Sequence, residues 1–316
     1  MGSDGLRHGA IGAENDLAAA DPGTYGVAPP GYRLPAAARV GRVSLQIANA
    51  DRSLRYYEQF LGFRVLSRTG GVTLLGAEGG PTPLIELHEA PGARAVAPRG
   101  RLGLYHFAIL LPDRAALGRF IQHVGESGTR VGASDHLVSE ALYLRDPDGL
   151  GIEVYVDRPR ETWLRHGREL VMATNPLDMA AVAHAAGRTR WSGMPAGTTI
   201  GHVHLHVGDL ERSAAFYHAG LGLDRVVWSY PGALFLSAGG YHHHLGTNTW
   251  AGPGASGPAQ DEAQLLDWEF VLPGEGDVSA AVRSLEAFGY AAGRAERGWV
   301  VPDPWGTRVR LIAAAS

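Results

Sequence analysis

Gly41-Arg42-Val43-Ser44-Leu45-Gln46-Ile47 and Gly201-His202-Val203-His204-Leu205-His206-Val207 are two versions of one strand, 160 residues apart. In both, apolar side chains alternate with polar ones, the period-two mark of a strand whose faces differ. The offset persists beyond the strand. Arg52-Ser53 matches Arg212-Ser213, Tyr57 matches Tyr217, and Leu61-Gly62-Phe63 matches Leu221-Gly222-Leu223, so a helix follows in each copy and glycine ends it. Asp51 and Asp209 are the expected N-caps. Residues 71–77 then echo 232–238, and 84–88 stand opposite 241–248, as short strands. Each copy reads strand, helix, several strands.

Two further units share this plan. Leu104-Tyr105-His106-Phe107-Ala108-Ile109-Leu110 opens one, and Leu266-Asp267-Trp268-Glu269-Phe270-Val271-Leu272 opens the other. Helices are expected at 114–126 and 278–288, the first with Leu117, Phe120, Ile121 and Val124 at helical spacing. Asp146-Pro147-Asp148-Gly149 turns into Ile152-Glu153-Val154-Tyr155, and Asp303-Pro304-Trp305-Gly306 turns into Val309-Arg310-Leu311. The fold class is therefore α+β, built from four βαβββ modules. A Gly-, Ala- and Pro-rich arm over 1–37 is expected to be mobile, with room for a short docked segment at its end. Modules one and two fill 38–156, a connector with a helix-like stretch at 175–186 fills 157–197, and modules three and four fill 198–316.

The chain has 316 residues, 45% of them hydrophobic and 19% charged, enough for two ordinary cores. With 28 Lys and Arg against 32 Asp and Glu, no basic field awaits a polyanion, and nucleic acid is not an expected partner. There is no Cys, which excludes disulfides, thiolate nucleophiles and thiolate metal sites, and leaves His and carboxylates as ligands. No apolar run approaches the roughly 20 residues of a membrane span, nor is there a signal-peptide pattern, so no membrane partner is expected and the cytoplasm is the default compartment. Assembly with further copies of the chain is left open by composition.

Alternation places His202, His204 and His206 on one strand face, with Val203, Leu205 and Val207 packed beneath the helices. His106 opens its strand at the matching place, and Glu153 lies on a last strand with Tyr155. In Tyr241-His242-His243-His244, His242 and His244 share a face and His243 takes the other, where a structural role is expected. His106, Glu153 and His202 form the donor set of a facial triad that holds Fe(II) with open positions. Mn(II) is also compatible, and zinc hydrolases use similar donors.

Leu104-Tyr105-His106-Phe107-Ala108, Asp146-Pro147-Asp148-Gly149 and Gly201-His202-Val203, set in four βαβββ modules, resemble the vicinal oxygen chelate superfamily of glyoxalase I, bleomycin-resistance proteins and type I extradiol dioxygenases. Residues 103–112, 134–144 and 238–244 look more narrowly like bacterial two-domain catechol 2,3-dioxygenases. The resemblance implies two vicinal-oxygen-chelate domains with curved mixed sheets around a metal cleft. It implies Fe(II) held by His106, Glu153 and His202, with Arg42, Trp268 and Arg310 at the equivalent places of the other two modules. A complete triad then requires modules two and three to share a cleft. Pairing in sequence would instead send the first cleft to Glu86 and the second to His242 or His244.

The same resemblance implies that a catechol and O2 meet at the metal, and that the ring opens beside the diol to give a 2-hydroxymuconic semialdehyde. It casts His244 as the base with His242 as alternate, Tyr143 as an acid ten residues before Glu153, and His136 as a hydrogen-bond donor. Asn248 and Trp250 are expected to border the substrate pocket. Two other readings compete: a glyoxalase-like isomerase or lyase, which would want a second carboxylate in the cleft, and a metal-free protein that binds a small aromatic molecule.

Overall fold

The computed structural model describes residues 16–315. After a short strand β1 (Leu17–Ala19), the first module comprises β2 (Arg39–Ile47), α1 (Ala50–Leu54) continuing as a π-helical turn over Arg55–Phe60, β3 (Arg64–Thr69), β4 (Val72–Gly76) and β5 (Ile85–Glu89). The second comprises β6 (Gly103–Leu110), α2 (Arg114–Ser127), β7 (Gly132–Asp135), β8 (Ser139–Arg145) and β9 (Gly151–Asp157). The connector holds β10 (Leu164–His166), β11 (Glu169–Leu170) and α3 (Met179–Ala185). The third module is β12 (Thr199–His206), α4 (Leu210–Ser213) with a π-helical continuation over Ala214–Gly220, β13 (Asp224–Val227), β14 (Ala233–Ser237) and β15 (Leu245–Asn248). The fourth is β16 (Gln264–Leu272), α5 (Glu275–Ala287), β17 (Gly293–Arg294), β18 (Trp299–Pro302) and β19 (Arg308–Ala313).

Two eight-stranded mixed sheets result, and each joins modules from opposite halves of the chain. One has the order β13-β14-β15-β12-β6-β9-β8-β7, and the other β17-β18-β19-β16-β2-β5-β4-β3. Within each module the first and last strands run parallel, as a helical crossover requires, while the seams β12–β6 and β16–β2 are antiparallel. Modules two and three thus share one sheet, and modules one and four share the other. Pairing in sequence order is excluded.

Local chemistry explains the repeated elements. Asp209 caps α4 by accepting the Arg212 N–H, but α1 is capped by Asn49, which accepts the Arg52 N–H; Asp51 sits inside the first turn. Both helices widen before ending at Gly62 and Gly222, where φ values of 87° and 97° suit glycine. Tyr57 donates to Asp146 at 3.0 Å and Tyr217 to Asp303 at 2.9 Å, so each helix is tied to the Asp-Pro turn of the following module. In both turns the other carboxylate oxygen accepts two backbone N–H groups. A continuous apolar core unites Val43, Leu45 and Ile47 with Val203, Leu205 and Val207, and burial of those strand faces drives the assembly.

Residues 1–15 of the arm lie outside the described residues. From residue 16 onward the arm is docked on the rest of the chain. β1 pairs with β10, Tyr25 donates to the Gly240 carbonyl at 2.5 Å, and Arg33 forms a two-pronged ion pair with Asp224. Ala20 and Tyr25 are buried with Trp163, Leu170 and Val226. None of the helices described is long and apolar enough to cross a membrane.

Candidate metal centre

The seam between β6 and β12 sets His106 directly opposite His204, with His202 one pleat away, and β9 lies on the other side of β6 with Glu153 beside Ala108. Gly201 permits this approach: a Cβ there would lie 1.8 Å from the Tyr155 hydroxyl. His106, Glu153 and His202 are buried at 5%, 2% and 1% exposure, and their ligand-type atoms all lie within 4.8 Å of one another. Among the described residues this is the one such group.

The trio's bonding fits a shared cation. Glu153 Oε2 lies 3.2 Å from His202 Nε2 and 2.9 Å from His106 Nε2. The His106 contact lies off the hydrogen-bond direction, leaving that buried nitrogen without a hydrogen-bond partner. Burial pushes His202 down to about 4, so its imidazole is neutral near pH 7. Burial also opposes charge on Glu153, but the adjoining His202 and His106 imidazoles outweigh it and hold the carboxyl well below the usual range. No Lys or Arg pairs with Glu153 among the described residues. A buried carboxylate whose close partners among the described residues are imidazole nitrogens is the electrostatic counterpart of a divalent cation.

A cavity of about 310 Å³ opens onto the trio, at the small end of ligand pockets. Tyr105, Tyr143, His136, His204, Tyr230, Phe235, His243 and Trp250 contribute to its lining, and Met172, Ala173 and Thr174 of the connector close one wall. The connector is pinned there because Asp135 and Asn175 exchange backbone hydrogen bonds and the Ala173 carbonyl accepts from His136 Nδ1 at 2.7 Å. That bond leaves His136 Nε2 to accept the Tyr143 hydroxyl at 2.6 Å. Burial, then the nearby Glu153, raises Tyr143 well above its ordinary value, so the phenol keeps its proton. Leu137 beside His136 has φ of 69°, held by its N–H bond to Asp135.

The three consecutive histidines divide differently from the strand expectation. Residues 241–244 precede β15 and are not a strand, so alternation does not apply. His243 lines the cavity, with its ring centroid 4.1 Å from that of His202. His242 turns away and bonds Asp157 through Nε2 at 2.8 Å and His243 through Nδ1 at 2.7 Å. With His242 donating to Asp157, its Nδ1 accepts from His243, whose Nε2 carries a lone pair. His244 does not line the cavity: its Nδ1 accepts the Ala238 N–H at 3.2 Å and its ring meets Phe270. Of the three, His243 is the one whose side chain lines the cavity, whereas His242 and His244, expected as the base, are not part of its lining. Asn248, expected at the substrate, is wholly buried and spent on His204 and His206, whereas Trp250 stands at the cavity mouth, 45% exposed.

The model for the glyoxalase/bleomycin resistance protein/dioxygenase superfamily matches residues 39–154 and 199–309. The chain belongs to this superfamily. Its curated relatives include a catechol-2,3-dioxygenase of Bacillus subtilis (strain 168), 45% identical over 269 residues, which are 84% of this chain and 93% of that protein. Among solved structures, a provisionally named dioxygenase from Bacillus subtilis subsp. subtilis str. 168 superposes with a TM-score of 0.61 at 13% identity, covering 90% of this chain and 87% of that one. Glyoxalase I of Zea mays follows with a TM-score of 0.54 at 18% identity, covering 88% and 92%. These two share the superfamily fold.

Proposed function

We propose that the protein is an Fe(II)-dependent extradiol dioxygenase that opens a catechol ring beside its diol with O2, giving a 2-hydroxymuconic semialdehyde. The buried trio His106, Glu153 and His202 carries this reading, together with 45% identity to a catechol-2,3-dioxygenase across most of both chains. His106 and His202 supply imidazole nitrogens and Glu153 one carboxylate oxygen. A bound Fe(II) would supply the centre at which diol and O2 are brought together. Mn(II) fits the same donors.

The chain's own groups then handle protons. His243 Nε2 is the base that takes a proton from the diol, and the His242–Asp157 pair behind it holds its Nδ1–H in place. Tyr143 is the donor of the reverse transfer, and the His136–Ala173 contact orients its hydroxyl toward His136 rather than solvent. Tyr105, Phe235, Tyr230 and Trp250 exclude water and offer aromatic faces to a flat ring. In this reading 38–156 and 198–316 each lend one module to the catalytic cleft, with both sheets curved around their clefts, in a cytoplasmic protein. Among the described residues no second carboxylate joins the trio, which disfavours the glyoxalase alternative.

Anaerobic loading with Fe(II), followed by catechol and air, tests the proposal. A yellow ring-fission product with matching oxygen uptake is expected. Iron-loaded protein that consumes no oxygen with catechol or its alkyl derivatives contradicts it.

A further inference from the structure

Strand β12 carries two more histidines beyond His202 on the same face, and neither belongs to the trio. His204 is buried, lines the cavity, and lies two residues from His202, about 7 Å of strand. Its ring rests flat on β15 where Gly246 has no side chain: a Cβ there would meet three ring atoms at 2.9 to 3.0 Å. Tyr105, Phe235 and Trp250 surround it at centroid distances of 5.2, 5.6 and 5.6 Å, placing it between the trio and the mouth.

Hydrogen bonding fixes which ring nitrogen of His204 carries the proton. The backbone N–H of Trp250 can only donate, and it points at one side-chain atom of Asn248 at 3.0 Å, which must be the carbonyl oxygen. That oxygen also takes His206 Nδ1 at 2.6 Å. The amide nitrogen of Asn248 therefore faces His204 Nε2 at 2.9 Å and donates to it. His204 Nε2 is an acceptor, so the ring's proton is on Nδ1. Among the described residues, no protein acceptor meets that Nδ1–H.

We propose that His204 is a specificity-determining residue whose Nδ1–H donates to an acceptor on the bound ring, on the side away from the diol, and that Asn248 is the positioning residue that holds this tautomer. The favoured substrates carry an oxygen substituent, such as an alkoxy, hydroxyl or carbonyl group, on the ring. An alkyl substituent of the same size leaves the buried donor unpaired and binds more weakly. The class of ligand rests on the catechol reading above; the tautomer does not.

Nitrogen-15 spectra of the zinc-loaded chain, where the metal is redox-silent, should show the His204 proton on Nδ1 and a bare Nε2. In Asn248→Asp a carboxylate oxygen replaces the amide donor, and a proton should appear on Nε2. Anaerobic calorimetry on the zinc-loaded protein should find 4-methoxycatechol bound about tenfold more tightly than 4-ethylcatechol, the worth of one hydrogen bond. His204→Phe should erase that preference, and so should Gly246→Ala, which displaces the ring without removing it. A proton on Nε2 in the native chain overturns the proposal, as does a methoxy preference that is absent or survives both variants. If neither catechol binds the zinc-loaded native protein, the catechol reading and this ligand assignment fall together, while the spectra still decide the tautomer.

Discussion

The two clefts have one architecture and opposite electrostatics. In the cleft of modules two and three, His202, His106 and Glu153 converge, and among the described residues no Lys or Arg pairs with Glu153. In the cleft of modules one and four, the register sets Arg42, Asp267 and Arg310 at the equivalent places, since Asp267 faces Ser44 as His106 faces His204; Trp268, expected there, is one residue on and lies in the apolar core. In this cleft Arg42 pairs with Glu86 at 2.6 Å and Glu269 at 3.3 Å, Arg310 pairs with Asp267 at 2.8 Å, and Arg297 also meets Glu269. Burial raises Glu269 and Arg42 works against that shift, so the carboxylate is compensated from within the chain. One cleft carries its cation covalently, as a guanidinium; the other is built to receive one. The largely buried Arg42 guanidinium stands between Glu86 and Glu269, at the place where the other cleft gathers its ligands.

The comparison is broken most severely by Glu153→Ala, which should take metal content after anaerobic loading and desalting from stoichiometric to background while circular dichroism is unchanged. Retained iron would remove Glu153 from the metal centre. His243→Gln should keep the metal and lower kcat by about 10² to 10⁴, whereas His244→Gln should change it by no more than a few fold; the reverse order would return the base to His244. Arg42→Met should leave metal content unaltered yet cost about 3 kcal/mol in denaturant unfolding, because Glu86 and Glu269 lose their buried partner. A variant as stable as the native chain would deny that Arg42 stands in for a cation.

The smallest effect is a slope. Burial pushes His244 down to about 3, whereas the unfolded imidazole titrates near 6.5. Between those values the unfolded chain binds the extra proton, so this group's stability is complete above about 6.5 and falls on acidification by about 1.4 kcal/mol per pH unit until about 3. In His244→Gln, unfolding free energy of the metal-free protein should lose that share of its pH dependence, measured from pH 6.5 to 4.5.

Much of this was legible in residue order. The offset between Gly41 and Gly201 revealed the modules, and the expected loss of ligands at Arg42, Trp268 and Arg310 implied that modules two and three share a sheet, although the register puts Asp267 rather than Trp268 opposite Ser44. The trio was readable because each member sits on a regular strand, where alternation fixes the face. His243 was not: it lies in an irregular segment before β15, where period two has no meaning. The burial of Asn248 against His204 and His206 depends on β12 and β15 lying side by side, a long-range fact with no local signature. Met172, Ala173 and Thr174 come from a connector without periodicity, and their place at the cavity follows from Asn175 pairing with Asp135. Asn49 rather than Asp51 is the cap because it stands one residue before the first helical N–H, and the 160-residue offset pairs it with the cap Asp209.

The central claim is that one cleft receives a metal and the other supplies its own charge. An anomalous difference map at the iron edge, from crystals grown after anaerobic Fe(II) loading, tests it most directly. The account predicts a single peak bounded by His106, Glu153 and His202. A peak beside Arg42, a peak in each cleft, or no peak at the trio in protein shown to contain iron would contradict it.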